Sequence, residues 1–331
     1  MLYLQYNVHG HIDGGGAQIH RILAIYSLAK FRNFEFIKLP LVGVITPSYS
    51  PEIERRQEVL RSWNSMLDYL PTSTITPRSP QVFDDNWLDP DFFRLIEKLS
   101  QSKEYIFFVP RYLLIKHFIP ALKLLLKSRT SYSFQQLNRA KEKTALFLRL
   151  LLNKDCVLNI TEPFKVVTEG NQYIHSNLQL SEVIMSQRPV SIGVHVRRGD
   201  LNVTDRTRYL PDAYYVEVLN FVLTFLNLNN IAYSIEYFVD LPKGDNFFVS
   251  ENKEFSWNFI PKDMEYSVNI ESDAGALRSL SAKDIIIGSK SSFSFVAGLL
   301  SSAAVIQPEW WINNPDDWKT IKLSDSNLPL L

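Results

Sequence analysis

The chain has 331 residues, which at about 150 residues per domain makes roughly two domains and enough length to bury a sizeable core. Its 46% hydrophobic and 21% charged residues are those of a globular protein and exclude disorder, collagen-like repeats and a coiled-coil rod. Lys plus Arg and Asp plus Glu balance at 35 each, so any anion site must be local, and a nucleic-acid binder working through bulk charge is disfavoured.

The first predicted element is the apolar LYLQYNV from Leu2, read as a strand. Gly14, Gly15 and Gly16 follow, and then Ile19, Ile22, Leu23, Tyr26 and Ala29 recur at helical spacing. Strand, glycine turn and helix open an α/β domain. Phe36 to Val44 reads as a second strand, and the Pro-, Ser- and Thr-rich stretch from Pro71 to Pro90 as an irregular excursion. Helical patterns resume at Phe92 to Leu99, Tyr112 to Ser128 and Ala140 to Leu152. In the second of these, Lys116, Lys123 and Lys127 share a face, either an ordinary solvated face or one that meets an anionic membrane surface or a charged glycan. The single cysteine, Cys156, allows no internal disulfide and suits a reducing compartment. The domain boundary is expected between Asn153 and Pro189, giving domains at 1–180 and 181–331.

Beyond Pro189 strand and helix patterns alternate: PVSIGVHV, a loop, Tyr214 to Leu226, IAYSIEYFVDL, AGALRSL, DIIIG, SFSFVAGLLSS and AAVIQP. That succession predicts a doubly wound parallel sheet, which binds ligands at the carboxyl ends of its strands. One such end carries His195-Val196-Arg197-Arg198-Gly199-Asp200. Period two sends Ile192, Val194 and Val196 to one face and His195 and Arg197 to the other. Two arginines beside a glycine suit a diphosphate, because guanidinium is a planar fork that stays charged. Asp200 is placed to hold one arginine in its rotamer. The competing reading is a surface salt-bridge cluster.

His195 to Asp200 resembles the H-x-R-R-x-D motif of the fucosyltransferase superfamily that includes the alpha-1,2-, alpha-1,6- and protein O-fucosyltransferases. GGGAQIHRILAIYSLA from Gly14 is similar to that family's glycine loop and first helix, with Ala17-Gln18 where an Asn-Gln pair is usual. DIIIGSKSSFSFVAGLL from Asp284 is similar to its late strand and helix. The resemblance implies an α/β GT-B fold of two Rossmann-like domains facing a cleft, with an acceptor-side domain at 1–180 and a GDP-sugar domain at 181–331. It implies an inverting, metal-independent transfer of fucose from GDP-fucose to an oligosaccharide or glycolipid hydroxyl, with no cofactor. By carry-over, Arg197 and Arg198 contact the donor diphosphate, His195 positions the nucleotide, and Asp273 reads guanine. Ser291 and Ser292 lie against the phosphates at a helix start, where backbone amides favour an anion, and the plainer reading of that pair is an N-cap. Asp205 is the candidate base on the acceptor hydroxyl, with Asp13 behind it, and a solvated loop aspartate is the competing reading.

The glycine loop, with Gln18 and Arg21 beside it, either approaches a phosphate or sugar or simply makes a tight strand-helix turn. It is neither a Walker A loop nor a G-x-G-x-x-G fingerprint. No metal is expected, since the His9-x-His11 pair lacks partners and Asp84-Asp85 and Asp316-Asp317 are not D-x-D motifs. The alternatives to a fucosyltransferase are the same fold with another GDP-sugar, or a nucleotide- or glycan-binding protein without turnover. MLYLQYN is too polar after Tyr6 for a secretory segment and no apolar run reaches the length of a membrane span. Of two N-x-T sequons, Asn159 and Asn202, the second falls in the expected nucleotide site. A cytoplasmic protein, peripheral to a membrane at most, is therefore the expectation, with a secretory catalytic domain cut from its anchor as the alternative.

Overall fold

The computed structural model describes residues 2–7, 14–44, 53–68, 70, 81–84, 90–101, 113–128, 131–151, 156–160, 189–198, 201, 207–240, 260, 265–269, 274–310, 314, 318–324 and 329. Grouped by contacts, the chain forms two compact units. Unit 1 comprises Met1–His11, Arg21–Pro40 and Leu70–Tyr173, and unit 2 comprises Ile12–His20, Leu41–Tyr69 and Ile174–Leu331. Set beside continuous domains at 1–180 and 181–331, this grouping assigns residues 12–20, which include the glycine loop, and residues 41–69 and 174–180 to unit 2.

Unit 1 holds β1 (Leu2–Tyr6), β2 (Glu35–Ile37), β3 (Gln81–Asp84) and β4 (Cys156–Ile160), all parallel in the order β2-β1-β4-β3. β1 buries Leu2, Tyr3, Leu4 and Tyr6, side chains of both its faces, as an inner strand of a parallel sheet does. Helix α1 (Gly15–Arg32) buries the expected Ile19, Ile22, Leu23, Tyr26 and Ala29. It ends in a Schellman turn, where Asn33 adopts φ 55° and the Phe34 amide reaches the Ala29 carbonyl at 2.8 Å.

The strand expected to run to Val44 stops at Ile37. Pro40 has no amide to give a ladder, and Leu41 turns to the Asn64 side chain, donating to Oδ1 at 2.7 Å and accepting from Nδ2 at 3.2 Å. The excursion expected from Pro71 to Pro90 contains an edge strand, β3, whose Val82 is exposed and Phe83 buried. β4, inside the expected boundary region, is an inner strand, and its Cys156 is a buried free thiol.

Three helical segments complete the description of unit 1: α3 (Pro90–Gln101), α4 (Ile119–Ser128) and α5 (Ser131–Leu151), with α4 packed on α5. The helix expected from Tyr112 to Ser128 is interrupted by a π turn, Leu114–Phe118, where the Ile119 amide bonds the Leu114 carbonyl. Pro120 lies just past it and lacks the amide that a regular helix would offer to residue 116.

Unit 2 is built on six parallel strands: β5 (Val190–Arg197), β6 (Tyr233–Asp240), β7 (Ser267–Asn269), β8 (Ile285–Ile287), β9 (Ala304–Pro308) and β10 (Lys319–Ile321). Their order, β10-β9-β8-β5-β6-β7, is that of a Rossmann sheet, with the direction of winding reversing between β5 and β8. The connections carry α6 (Asp212–Leu228), α7 (Ala274–Ser281) and α8 (Ser292–Leu299). One face of β5, Ile192, Val194 and Val196, shares a core with Tyr214, Tyr215, Val218 and Leu219 of α6. Helix α2 (Ile53–Ser65), which has no counterpart among the predicted elements, packs with α7, whose Arg278 donates to Ser65 Oγ and to Met66 Sδ.

Candidate functional site

In an open parallel sheet the crevice for a ligand lies outside the carboxyl ends of the two strands where winding reverses. Here those ends are Arg197 on β5 and Ile287 on β8, followed by Gly288, Ser289, Lys290 and Ser291 ahead of α8. Ile192, Val194 and Val196 face the α6 core, as period two requires, and His195 is buried at 5% exposure. Its Nδ1 lies 2.8 Å from Ser289 Oγ, and its ring stacks on Phe293 at 5.0 Å between centroids. Burial, reinforced by the charge of Arg197, pushes the imidazole down to about 3. It is therefore neutral at neutral pH, a hydrogen-bonding brace between β5 and the loop after β8.

The two arginines have different surroundings. Arg197 is half-buried at the strand's end. Arg198 is 7% exposed, with Nη2 donating to Asp212 Oδ1 at 2.6 Å and Nη1 to the Arg197 carbonyl at 3.1 Å. Its guanidinium lies over the rings of Tyr209 at 4.4 Å and Tyr215 at 5.3 Å. Burial works against its charge, but Tyr215, Tyr209 and Asp212 outweigh that and raise its pKa above the usual arginine value. Both terminal nitrogens thus have protein acceptors, where the sequence reading had Arg198 directed at a ligand.

The loop after β8 is knit from below and within. The Gln307 amide, fully buried, donates to the Ser289 carbonyl at 2.7 Å, and the Tyr214 hydroxyl donates to the Gly288 carbonyl at 3.3 Å. A Cβ on Gly288 would stand 1.7 Å from Gln307 Oε1, so only glycine lets that amide lie beneath the loop. The single Ser294 hydroxyl proton is shared between the carbonyls of Ser289 and Ser291, each 3.2 Å from Oγ, and Oγ accepts from the Ser289 amide at 3.1 Å. Ser291 is the N-cap of α8, its Oγ accepting from the Phe293 amide at 3.2 Å, and Ser292 is the half-buried first residue of the helix.

The glycine loop belongs to this same unit. A Cβ on Gly16 would meet Phe293 Cα at 3.0 Å, so the chain at Gly16 passes directly against the first turn of α8. Gly15 lies under the Trp63 indole, with ring carbons 2.3 Å to 2.5 Å from where its Cβ would stand. Gln18 is buried and its amide donates to the Gly43 carbonyl at 2.8 Å, tying down the segment after β2 where a ligand contact was expected. Gly14 accepts from the Gln18 amide at 3.1 Å, and half-buried Arg21 is grouped with unit 1.

The structure therefore brings His195, Arg197, Arg198, Gly16, Ser291 and Ser292 to one end of the unit 2 sheet. Asp13, Asp200, Asp205 and Asp273 lie outside the described residues. Among the described residues, the carboxylate paired with Arg198 is that of Asp212. Sequence reasoning missed Asp212, Tyr209, Tyr215, Ser289, Phe293 and Gln307. The run YLPDAYY from Tyr209 carried a usable signal, since an acid and several tyrosines one loop after two arginines can cage a guanidinium.

No protein-family model and no curated protein matches this chain. Among solved structures, E. coli heptosyltransferase WaaC with ADP-2-deoxy-2-fluoro heptose aligns over 99% of this chain and 95% of its own, at 10% identity and a TM-score of 0.37.

Proposed function

We propose that the protein is a glycosyltransferase of the GT-B class that holds the diphosphate of a nucleotide-sugar at the carboxyl ends of β5 and β8. One observation carries this reading. The reversal point of a Rossmann-ordered sheet coincides with an Arg-Arg pair on one strand and a serine-capped helix start on the other, with a glycine loop against that helix. Arg197 is assigned the direct phosphate contact, together with the amide end of α8 and Ser292. Arg198, held by Asp212, and His195, held by Ser289, position β5 and the loop after β8 around it.

The donor is proposed to be GDP-fucose and the acceptor a glycan hydroxyl, on the likeness of HVRRGD and its companion segments to the fucosyltransferase motif. Asp273 is assigned to guanine and Asp205 to the acceptor proton. Departure of the diphosphate from a sugar needs its charge neutralised, which the guanidinium of Arg197 supplies, while a carboxylate draws the proton from the attacking hydroxyl.

The test is thermal stabilisation by GDP, GDP-fucose, GDP-mannose, UDP-sugars and ADP-sugars, with and without a chelator, in the wild type and Arg197→Ala. A ligand at a hundred times its dissociation constant adds about 2.7 kcal/mol to stability, a shift that melting resolves. Stabilisation by GDP and GDP-fucose alone, lost in Arg197→Ala, is expected. A preference for an adenine or uridine nucleotide would replace the donor, and no response to any of them would overturn the site. Asp205→Asn is expected to keep donor binding and lose turnover, and donor binding without turnover in the wild type would make the protein a binder.

A further inference from the structure

Helix α4 and the π turn before it present an arrangement that a buried helix would not. Ile115, Ile119, Leu122 and Leu126, spaced four, three and four apart, are 55%, 39%, 51% and 74% exposed. Leu113 and Ala121, on the other side, are buried where the segment packs on α5. An unbroken apolar stripe thus faces outward on unit 1. Lys116 and Lys123, both exposed, border it, and Lys127 continues their spacing.

The charge around the stripe is as uneven as its burial. Residues 113–151 contain eight Lys or Arg and a single acid, Glu142, in a chain whose basic and acidic residues balance at 35 each. Lys143 is drawn inward, 2.9 Å from the His117 ring and over Phe92, and Lys116 forms an exposed ion pair with Asp91 at 2.7 Å. Arg139 and Lys141 are exposed on α5.

From this we infer that the α4–α5 hairpin seats on an anionic lipid surface, its Ile and Leu stripe in the acyl boundary and its lysines among the headgroups. A bilayer satisfies both features at once. Nucleic acid would meet the lysines and leave the stripe in water, and a second copy of the hairpin would bring like charges together. Among the described residues no helix is long and apolar enough to cross a membrane, so the contact is interfacial. The inference rests on unit 1 alone and stands apart from the proposed donor site.

The test is co-sedimentation of the full chain with phosphatidylcholine vesicles, with and without phosphatidylglycerol. Two triple variants accompany it, Lys116→Gln/Lys123→Gln/Lys127→Gln and Ile119→Ser/Leu122→Ser/Leu126→Ser, each checked for an unchanged melting temperature. The chain is expected on anionic vesicles and not on neutral ones. Each lysine near the surface contributes about fivefold, so the lysine variant is expected to bind on the order of a hundredfold more weakly. The serine variant is expected to lose binding at all salt concentrations. Equal binding to both vesicle types, binding to neither, or full binding by either variant overturns the inference. So does a dimer in sedimentation velocity that the serine variant dissolves, which would make the stripe an interface between copies.

Discussion

Two groups of basic residues in this chain are treated in opposite ways. At the end of β5, Arg198 is almost fully enclosed, paired with Asp212 and lying over the rings of Tyr209 and Tyr215. On the π turn and α4, Lys116 and Lys123 are exposed, and the ion pair of Lys116 with Asp91 joins side chains 45% and 62% exposed. A guanidinium fixed on every side can define where a strand end and its neighbours sit, which suits a ligand of fixed shape. Exposed lysines, even one in a surface ion pair, give up little by moving, and they suit a surface whose charge is spread out. The same balance of 35 basic and 35 acidic residues therefore conceals one site built for geometry and one patch built for field.

The largest effect that separates them is the removal of Asp212. Asp212→Ala leaves the Arg198 guanidinium enclosed with its closest carboxylate gone, and a buried pair broken on one side typically loses about 3–5 kcal/mol. Asp212 is itself 25% exposed, so water entering in its place brings the expectation to the lower end. Urea unfolding of the variant measures it. A loss under about 0.5 kcal/mol, the size expected of an exposed pair, would erase the distinction between the two regions.

The sequence made much of this legible and for identifiable reasons. Four of the unit 2 strands, β5, β6, β8 and β9, were visible because parallel strands buried on both faces read as apolar runs, as in SIGVHV and DIII. β4 escaped notice because Cys156 to Ile160 is only five residues with an asparagine among them, and its inner position comes from pairing with β1 and β3 rather than from its own pattern. β7 and β10, at three residues each, are too short to show any period. His195 and Arg197 were found because their strand has a strict alternation. Ser289 and Gln307 were not, because a serine in a serine-rich loop and a glutamine in a strand acquire roles only when β8 stands between β5 and β9. The glycine loop was legible as a turn, while its grouping with unit 2 is a long-range fact that no local pattern holds.

Next in size is Gly15→Ala. The new methyl would stand 2.3 Å from the Trp63 indole, a large, fully buried ring with little room to retreat. Overpacking of this kind typically costs about 1–3 kcal/mol, and a midpoint shift in chemical unfolding reports it. Gly16→Ala meets backbone at 3.0 Å, a milder crowding, so it is expected to lose less stability. If Gly15→Ala instead matched wild type, the indole would not be the fixed cover it is taken for. The loop's closeness to α8 would then have to rest on Gly16 alone.

The titration of His195 sharpens the contrast in another way. In the unfolded chain an imidazole takes a proton near its ordinary pKa of about 6.5, but in the folded protein burial and Arg197 hold it down to about 3. Between those values the unfolded state binds more protons, so stability is complete above about pH 6.5 and falls as pH drops towards about 3. The slope this group contributes is at most about 1.4 kcal/mol per pH unit. His195→Gln loses baseline stability with its Ser289 and Phe293 contacts, and the distinguishing result is a shallower fall from pH 6.5 to pH 4 than in wild type. An identical slope in both proteins would mean that His195 titrates freely in the fold and is not the enclosed brace described.

The smallest effect belongs to the exposed group and completes the comparison from its other side. Lys123→Gln removes a charge that has solvent around it, so folding stability is expected to stay within about 0.5 kcal/mol of wild type. A neutral result in unfolding gains its meaning from vesicle binding, where the same substitution is expected to lower affinity about fivefold. If Lys123→Gln destabilised the fold by more than about 1 kcal/mol, α4 would owe its basic face to packing within unit 1. The enclosed arginine and the exposed lysine would then be two cases of one structural role, and the outward stripe of Ile115, Ile119, Leu122 and Leu126 would need a partner from within the chain.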